Sequence, residues 1–497
     1  MSNPAGKGLG KLAVRSVFWV GGGQVFRQVL GIVVSVILAR LLAPEDFGLI
    51  AMVYVFIEFA QVFADFGIGA AIIQSKDADA RVLSSAFWAN VSVGVALALL
   101  TAAAAPLVVA FYGDERLFAM TLALSLTLLL SGASVIPRAI LHKEMRFAVA
   151  ATSVMTGSLA GAVTAVGLVL AGYGVWGLVW QPIVGSSVTF VLTFLVCGWR
   201  PRAMFSWAGI RSLAGFSAHV LGNDLLGYAS RNADKLLIGK VLGSVALGYY
   251  SLAWQFMLYP LTHVSSVIVK VLFPTLSLLQ KEVGRFRAAY LKATAAIGLV
   301  TFPAMVGLFL VAEDFVRAVF GDKWLPVLPV LNILCFVGML RSVMTTAYTI
   351  YLSTGRTQKM FRLSLVSTPL MVAAFATGLP WGIVGVAAAY AIVVVVMSYV
   401  NLRIALGIVG LRVRDFHAVL ARPFAAAVVM GTAVWLVRSY LLEATSLDAA
   451  GRLACAVIIG ILVYAIVAPV INRPQIRELR KLVSSAWARE RGALEST

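Results

Sequence analysis

The chain alternates long, uninterrupted apolar runs with short polar breaks. Fourteen runs stand out, at about 14–42, 47–73, 83–110, 117–137, 147–171, 175–198, 212–242, 248–273, 289–312, 326–352, 363–379, 382–402, 419–441 and 450–471. Each is near or above the roughly 20 residues that a helix needs to cross a hydrocarbon layer of about 30 Å. Strands of a membrane barrel would instead be half as long and alternate in polarity. The pattern predicts an all-α polytopic membrane protein with fourteen transmembrane helices.

Composition agrees: mean hydropathy is +0.94, with 61% hydrophobic and only 12% charged residues, which excludes a soluble domain. The basic residues test the count. With an even number of spans both termini share a side. With residues at the ends of runs assigned to the adjoining loop or terminus, the termini and even-numbered loops hold 28 Lys/Arg, the odd-numbered loops 7 and the span interiors 5, so both ends are expected in the cytoplasm. The same bias accounts for the net charge of +19 without nucleic acid, since no loop is long enough to fold a basic binding surface. The first run is too long for a signal-peptide core and lacks a cleavage site, so it is read as a retained helix. In the tail, Ile476, Leu479, Leu482, Val483, Ala486 and Trp487 recur at helical spacing opposite Arg477, Arg480, Lys481 and Arg489, a pattern that lies along a membrane surface. Cys197, Cys335 and Cys455 sit apart in apolar runs, and the four histidines show no ligand spacing. No metal and no cofactor is expected.

Within the spans, ionisable residues are the informative positions, because each costs about 2.5–3.5 kcal/mol at a helix centre unless it is paired or wet. They concentrate in NDLLGYASRNADKLLIG, residues 223–239. At 100° per residue Asp224, Tyr228, Arg231 and Lys235 fall within about ±40° of one line, with Asp234 beside it. Either this stripe lines a pathway or Arg231, Asp234 and Lys235 satisfy one another locally. In span 2, Glu58, Gln61 and Asp65 share a face at depths that bracket Arg27 of span 1, so either Arg27 pairs with Glu58 or Asp65, or one of these acids takes part in proton or sodium coupling. Arg341 stands mid-span with no acid within helical reach, and needs an acid on another helix or an anionic ligand. Lys270, sharing a face with His263 and Ser266, is close enough to a span end to snorkel, and Arg40 and Lys240 read as interfacial anchors.

The chain also repeats. A shift of 200 residues lays ARLLAPEDFGLIAMVYVF (39–56) over GKVLGSVALGYYSLAWQF (239–256), and at slightly larger offsets FYGDE (111–115) matches FGDKW (320–324) and VWGLV (175–179) matches PWGIV (380–384). These ordered matches predict two six-helix lobes of like orientation, 14–198 and 199–402, around a central cavity. Helices 13 and 14 (403–471), a cytoplasmic N-terminus (1–13) and the basic tail (472–497) lie outside the repeat. Positions 224, 228, 231 and 235 map onto Gln24, Gln28, Gly31 and Ser35, so the same face is polar in both lobes.

PEDFGLIAMVYVFIEFAQVFADFGIGAAIIQ (44–74), FWANVSVG (87–94) and NADKLLIGKVLGSVALGYYSLAWQF (232–256) resemble the O-antigen and colanic-acid type polysaccharide flippases of the multidrug/oligosaccharidyl-lipid/polysaccharide exporter superfamily. The resemblance covers nearly the whole chain. It implies two lobes around a cationic cavity in the bacterial inner membrane, carrying undecaprenyl-diphosphate-linked oligosaccharide from the cytoplasmic to the outer leaflet by alternating access. Arg27, Arg231, Lys235 and Arg341 are then the candidate cavity residues, and Glu58, Asp65, Asp224 and Asp234 candidate ion-coupling or ion-pair residues. Membrane lipids and the lipid-linked substrate are the implied partners; proton or sodium coupling and contact with polysaccharide-assembly proteins stay open. A lipid II type flippase and a multidrug cation antiporter of the same superfamily are rival transporters. A membrane polymerase or ligase is the rival enzyme, disfavoured by short outer loops without a paired-His or DxD arrangement.

Overall fold

The computed structural model describes the backbone of residues 4–64, 69, 72, 79–204, 217–442 and 447–473, and the side chains of these residues except 4–18, 20, 217–226, 229, 230, 441 and 442. Among the described residues every regular element is helical, and twelve helical stretches are long and apolar enough to cross a membrane. The chain is a multi-pass helical membrane protein. Two of the twelve, Arg231–Leu278 and Thr357–Ile408, contain 48 and 52 residues. At 1.5 Å per residue that is roughly 70 to 80 Å, more than twice the hydrocarbon thickness. Both are broken where glycine supplies a left-handed φ, 84° at Gly243 and 69° at Gly382.

The chain divides into compact units of residues 1–248 and 249–497. The first contains α1 (Pro4–Leu41), α2 (Pro44–Ala64), α3 (Ala80–Ala103), α4 (Ala105–Tyr112), α5 (Arg116–Lys143), α6 (Phe147–Leu170), α7 (Trp176–Val196) and α8 (Ser217–Pro260) as far as Gly248. Local chemistry sets the starts: Asp46 accepts the Ala43 N–H at 3.0 Å as Pro44 opens α2, and Asp79 caps α3 through the Val82 N–H at 2.8 Å. Lipid offers no hydrophobic gain for helix association, so small residues provide close packing instead. Between α6 and α7 a Cβ on Gly161 would fall 2.4 Å from the Gln181 carbonyl oxygen.

The closest approach joins the start of α2 to the segment of α8 that follows Gly243. A Cβ on Gly48 would meet the Ser244 carbonyl oxygen at 1.7 Å, and one on Gly248 would meet that of Pro44 at 1.9 Å. Residues 44 and 48 are the 200-shift counterparts of 244 and 248. The contact is therefore reciprocal, each segment's glycine lying against a carbonyl of the other.

The second unit continues from α8 through a π-helical turn at Leu261–Ser265, just after Pro260 has removed a backbone donor, into α9 (Ser266–Leu278). Then follow α10 (Val283–Val319), α11 (Leu328–Ser353), α12 (Thr357–Gly378), α13 (Gly382–Ile408), α14 (Val413–Val437) and α15 (Ala449–Ile471). Buried hydroxyls stitch α10 to α11, with Thr294 to Thr346 at 3.1 Å and Thr301 to Ser342 at 2.9 Å. The last two helices are tied to α10 by Asp314, which is 2% exposed. Its carboxylate meets Arg438, just after α14, at 3.2 Å and Arg452 of α15 at 3.1 Å.

Several helix boundaries reach beyond the apolar runs. Helix α5 continues to Lys143 and α10 extends from Val283 to Val319, so Arg138, expected in a loop, lies within a helix. A helix needs only satisfied backbone bonds to continue, and hydropathy does not sense those. Asp65, the FADFGIG segment apart from Phe63, Ala64 and Gly69, the side chain of Asp224 and the amphipathic tail beyond Arg473 lie outside the described residues.

Candidate functional site

The polar stripe of α8 is organised against α2. Asn232 is 2% exposed; its Nδ2 donates to Glu58 Oε2 at 3.0 Å and its Oδ1 accepts from Lys235 Nζ at 3.0 Å. One buried amide thus joins a carboxylate to an ammonium, each facing the atom of matching polarity. Tyr228 braces the same pair of helices by donating to the Val55 carbonyl, with its ring 5.3 Å from Phe59. Asp234 is fully buried and accepts the Lys235 N–H at 2.8 Å, while Arg231 is exposed and folds over Gly227. Of the two acids suggested for Arg27, Glu58 takes Asn232 and Asp65 lies outside the described residues; Arg27 donates to the Gly23 carbonyl of its own helix at 3.4 Å. A neutral asparagine gives no charge signal in a sequence, which is why its bridging place was not foreseen.

Arg27 opens instead onto a cavity of about 540 Å³ inside the first unit, walled by α1, α2, α5, α6 and α7. Arg138 enters the same cavity from α5, accompanied by Ser131, Ser134, Gln181 and Thr189. Ser131 accepts from Gln61 Nε2 at 2.8 Å, which leaves its own O–H to donate. Two guanidiniums in a polar chamber provide fixed, always-charged donors for an anion. Arg138 was hidden in the sequence by its position at the end of an apolar run.

A second cavity, of about 470 Å³, lies within the second unit between α9, α11, α12 and α13. Arg341 reaches it, half-buried, and donates to the Tyr390 hydroxyl at 2.6 Å. Tyr390 is 1% exposed and held between Trp254 and Phe375, whose rings stand 5.1 and 5.4 Å away. Among the described residues Arg341 has no acidic partner, so its charge is met by a hydroxyl and the cavity. A third hollow, of about 430 Å³, is walled by apolar side chains of α10, α11 and α14, with Asn332 and Thr432 as its polar members. Lys270 is exposed and belongs to none of these cavities.

The cavities' walls therefore separate the predicted residues. Arg27 serves the first unit's cavity and Arg341 the second's, Lys235 is engaged with Asn232, and Arg231 stands apart. Among the described residues, no group of three or more His, Cys, Asp or Glu side chains is arranged to hold a metal ion.

Residues 37–329 match the model of a family described as "Polysaccharide biosynthesis protein". The chain belongs to this family. It is 31% identical over 418 residues to the teichuronic acid biosynthesis protein TuaB of Bacillus subtilis (strain 168), covering 82% of this chain and 84% of that protein. It is 29% identical over 325 residues to the succinoglycan biosynthesis transport protein ExoT of Rhizobium meliloti (strain 1021), covering 65% of this chain and 66% of that protein. Among solved structures, the lipid II flippase MurJ in an inward closed conformation superposes with a TM-score of 0.72 at 17% identity, over 92% of this chain and 99% of that one. At that identity the likeness concerns the fold. The stretch that places this polysaccharide biosynthesis protein in its family includes Glu58, Arg138 and Asn232, whereas Arg341 lies beyond it.

Proposed function

We propose that this protein is a flippase that carries an undecaprenyl-diphosphate-linked oligosaccharide from the cytoplasmic to the outer leaflet of a bacterial inner membrane by alternating access. It is a transporter and not an enzyme, in line with the relative named as a succinoglycan biosynthesis transport protein. The observation that carries the proposal is the pairing of Arg27 and Arg138 in one hydroxyl-rich chamber of a membrane protein of this family. The diphosphate is the part of such a substrate that cannot enter hydrocarbon unaided, and two guanidiniums replace the water it gives up. A diphosphate with about two negative charges, moved outward down a potential of roughly 100 mV, inside negative, gains about 4.6 kcal/mol. Proton or sodium coupling through Glu58, Asp65, Asp224 or Asp234 is then auxiliary.

The finer topology belongs to the same proposal. Counting the two longest helical stretches as two passes each turns twelve spans into fourteen, and the loop charges place both termini in the cytoplasm. The direct repeat favours two lobes of like orientation. Polysaccharide-assembly proteins are the natural suppliers and receivers of the cargo.

The test is reconstitution into liposomes with an undecaprenyl-diphosphate glycan, scoring sugar that reaches the opposite leaflet with and without an imposed potential. Wild type should transfer faster under an inside-negative potential. Arg27→Gln and Arg138→Gln should each lose at least tenfold, while Lys270→Ala stays near wild type. Efflux of a cationic dye with no glycan transfer would instead identify a multidrug exporter.

A further inference from the structure

The cavities of the two units are walled by helices that correspond under the repeat, α5, α6 and α7 in one and α11, α12 and α13 in the other, yet they differ in chemistry. The first offers cationic donors. The second holds a single guanidinium, Arg341, and, like the first, hydroxyls turned to their own helices: Thr345 donates to the Ser342 carbonyl at 2.7 Å, Ser364 to that of Met360 at 3.2 Å and Ser367 to that of Ser364 at 3.4 Å. Each O–H is spent on its own helix, so the lone pairs of the oxygen are what remains for a ligand. The Tyr348 ring in the same wall is 48% exposed.

We infer that the second unit's cavity is a saccharide subsite, in which Tyr348 packs against the C–H face of a sugar ring and the hydroxyls of α11 and α12 accept hydrogen bonds from its O–H groups. This assignment rests on the flippase proposal for its source of sugar. A pyranose has donors around its rim and an apolar face, and this wall has the complementary order. A polyprenyl chain fits poorly, because it would bury the acceptors without replacing their hydrogen bonds to water. The apolar hollow of α10, α11 and α14 is the better place for hydrocarbon. Arg341, held by Tyr390, sits in the same cavity and would meet an acidic substituent on the sugar. The volume lies within the range of about 300–1,000 Å³ that holds drug-sized ligands, which suits a short saccharide. Four methionines, Met344, Met360, Met371 and Met397, line the remainder. Their flexible thioethers let one pocket fit rings with different substituents.

The experiment is equilibrium binding to the full chain in nanodiscs of two probes, a polyprenyl diphosphate without sugar and the same lipid bearing a neutral trisaccharide. Wild type should bind the glycosylated probe at least tenfold more tightly. Tyr348→Ala should bring the ratio of the two affinities close to one, Tyr348→Phe should keep it, and the Ser364→Ala/Ser367→Ala double variant should reduce it severalfold. Equal affinities in wild type, or a preference that survives both Tyr348→Ala and the double serine change, would overturn the subsite. The same preparation can be assayed for transfer between leaflets. Failure there defeats the flippase proposal, while the affinity ratio still decides whether sugar is bound here.

Discussion

The reciprocal contact between the starts of α2 and of the 244–260 segment allows the internal repeat to be tested by two methyl groups. In Gly48→Ala the new carbon would stand 1.7 Å from the Ser244 carbonyl oxygen, and in Gly248→Ala 1.9 Å from that of Pro44. Real Cβ atoms essentially never come within 3.0 Å of such a neighbour, so the backbones must separate by at least about 1.1 to 1.3 Å. Neither obstacle is a side chain that can swing away. Overpacking of this kind costs about 1–3 kcal/mol. Because both substitutions open the same interface, the second methyl enters a gap that the first has already made. The double variant should therefore cost clearly less than the sum, with a coupling of about 1 kcal/mol or more. The measurement is equilibrium unfolding of wild type, both singles and the double in one detergent. Additive effects, or two neutral singles, would refute a shared close contact. If transport requires this contact to part, the same alanines shift the population toward the parted state. Cysteine labelling at a neighbouring position should then speed up in both single variants.

Two further outcomes follow from the ion pairs. Asp314→Ala should lower stability by about 3 kcal/mol, the lower end of the range for breaking a buried pair, because Arg438 and Arg452 remain 22% and 29% exposed; an unchanged unfolding midpoint would show that the clasp on α14 and α15 is inert. In the short connection before α5, hydrogen bonding from Arg116 holds the Asp114 carboxyl below its ordinary value of 3.8. Its contribution, at most about 1 kcal/mol for so exposed a pair, is complete above that value and is lost as pH falls through the lower folded value. Asp114→Asn should flatten that part of an acid stability profile, and a parallel profile in the variant would contradict the assignment.

The sequence determined everything that depends on the solvent rather than on neighbours. Twenty-residue apolar runs must be helices in lipid because each backbone group has to be satisfied within its own segment. The 200-residue shift had already paired Pro44 with Ser244 and Gly48 with Gly248, and the cost of charge in hydrocarbon singled out Arg27, Glu58, Lys235 and Arg341. Which of these meet was decided only by the packing of helices far apart in the chain. Asn232 takes the place given to Arg27 beside Glu58, and Tyr390 takes the place of an acid beside Arg341. Neutral partners can hydrogen-bond a charged group, but they leave no mark in hydropathy or charge patterning. Arg138 was concealed differently, since a guanidinium at the end of an apolar run looks interfacial until the continuation of α5 carries it into a cavity wall. The difference between a cavity with two guanidiniums and one with a single guanidinium beside an exposed tyrosine is likewise tertiary. It depends on which helices bring those side chains to a common space.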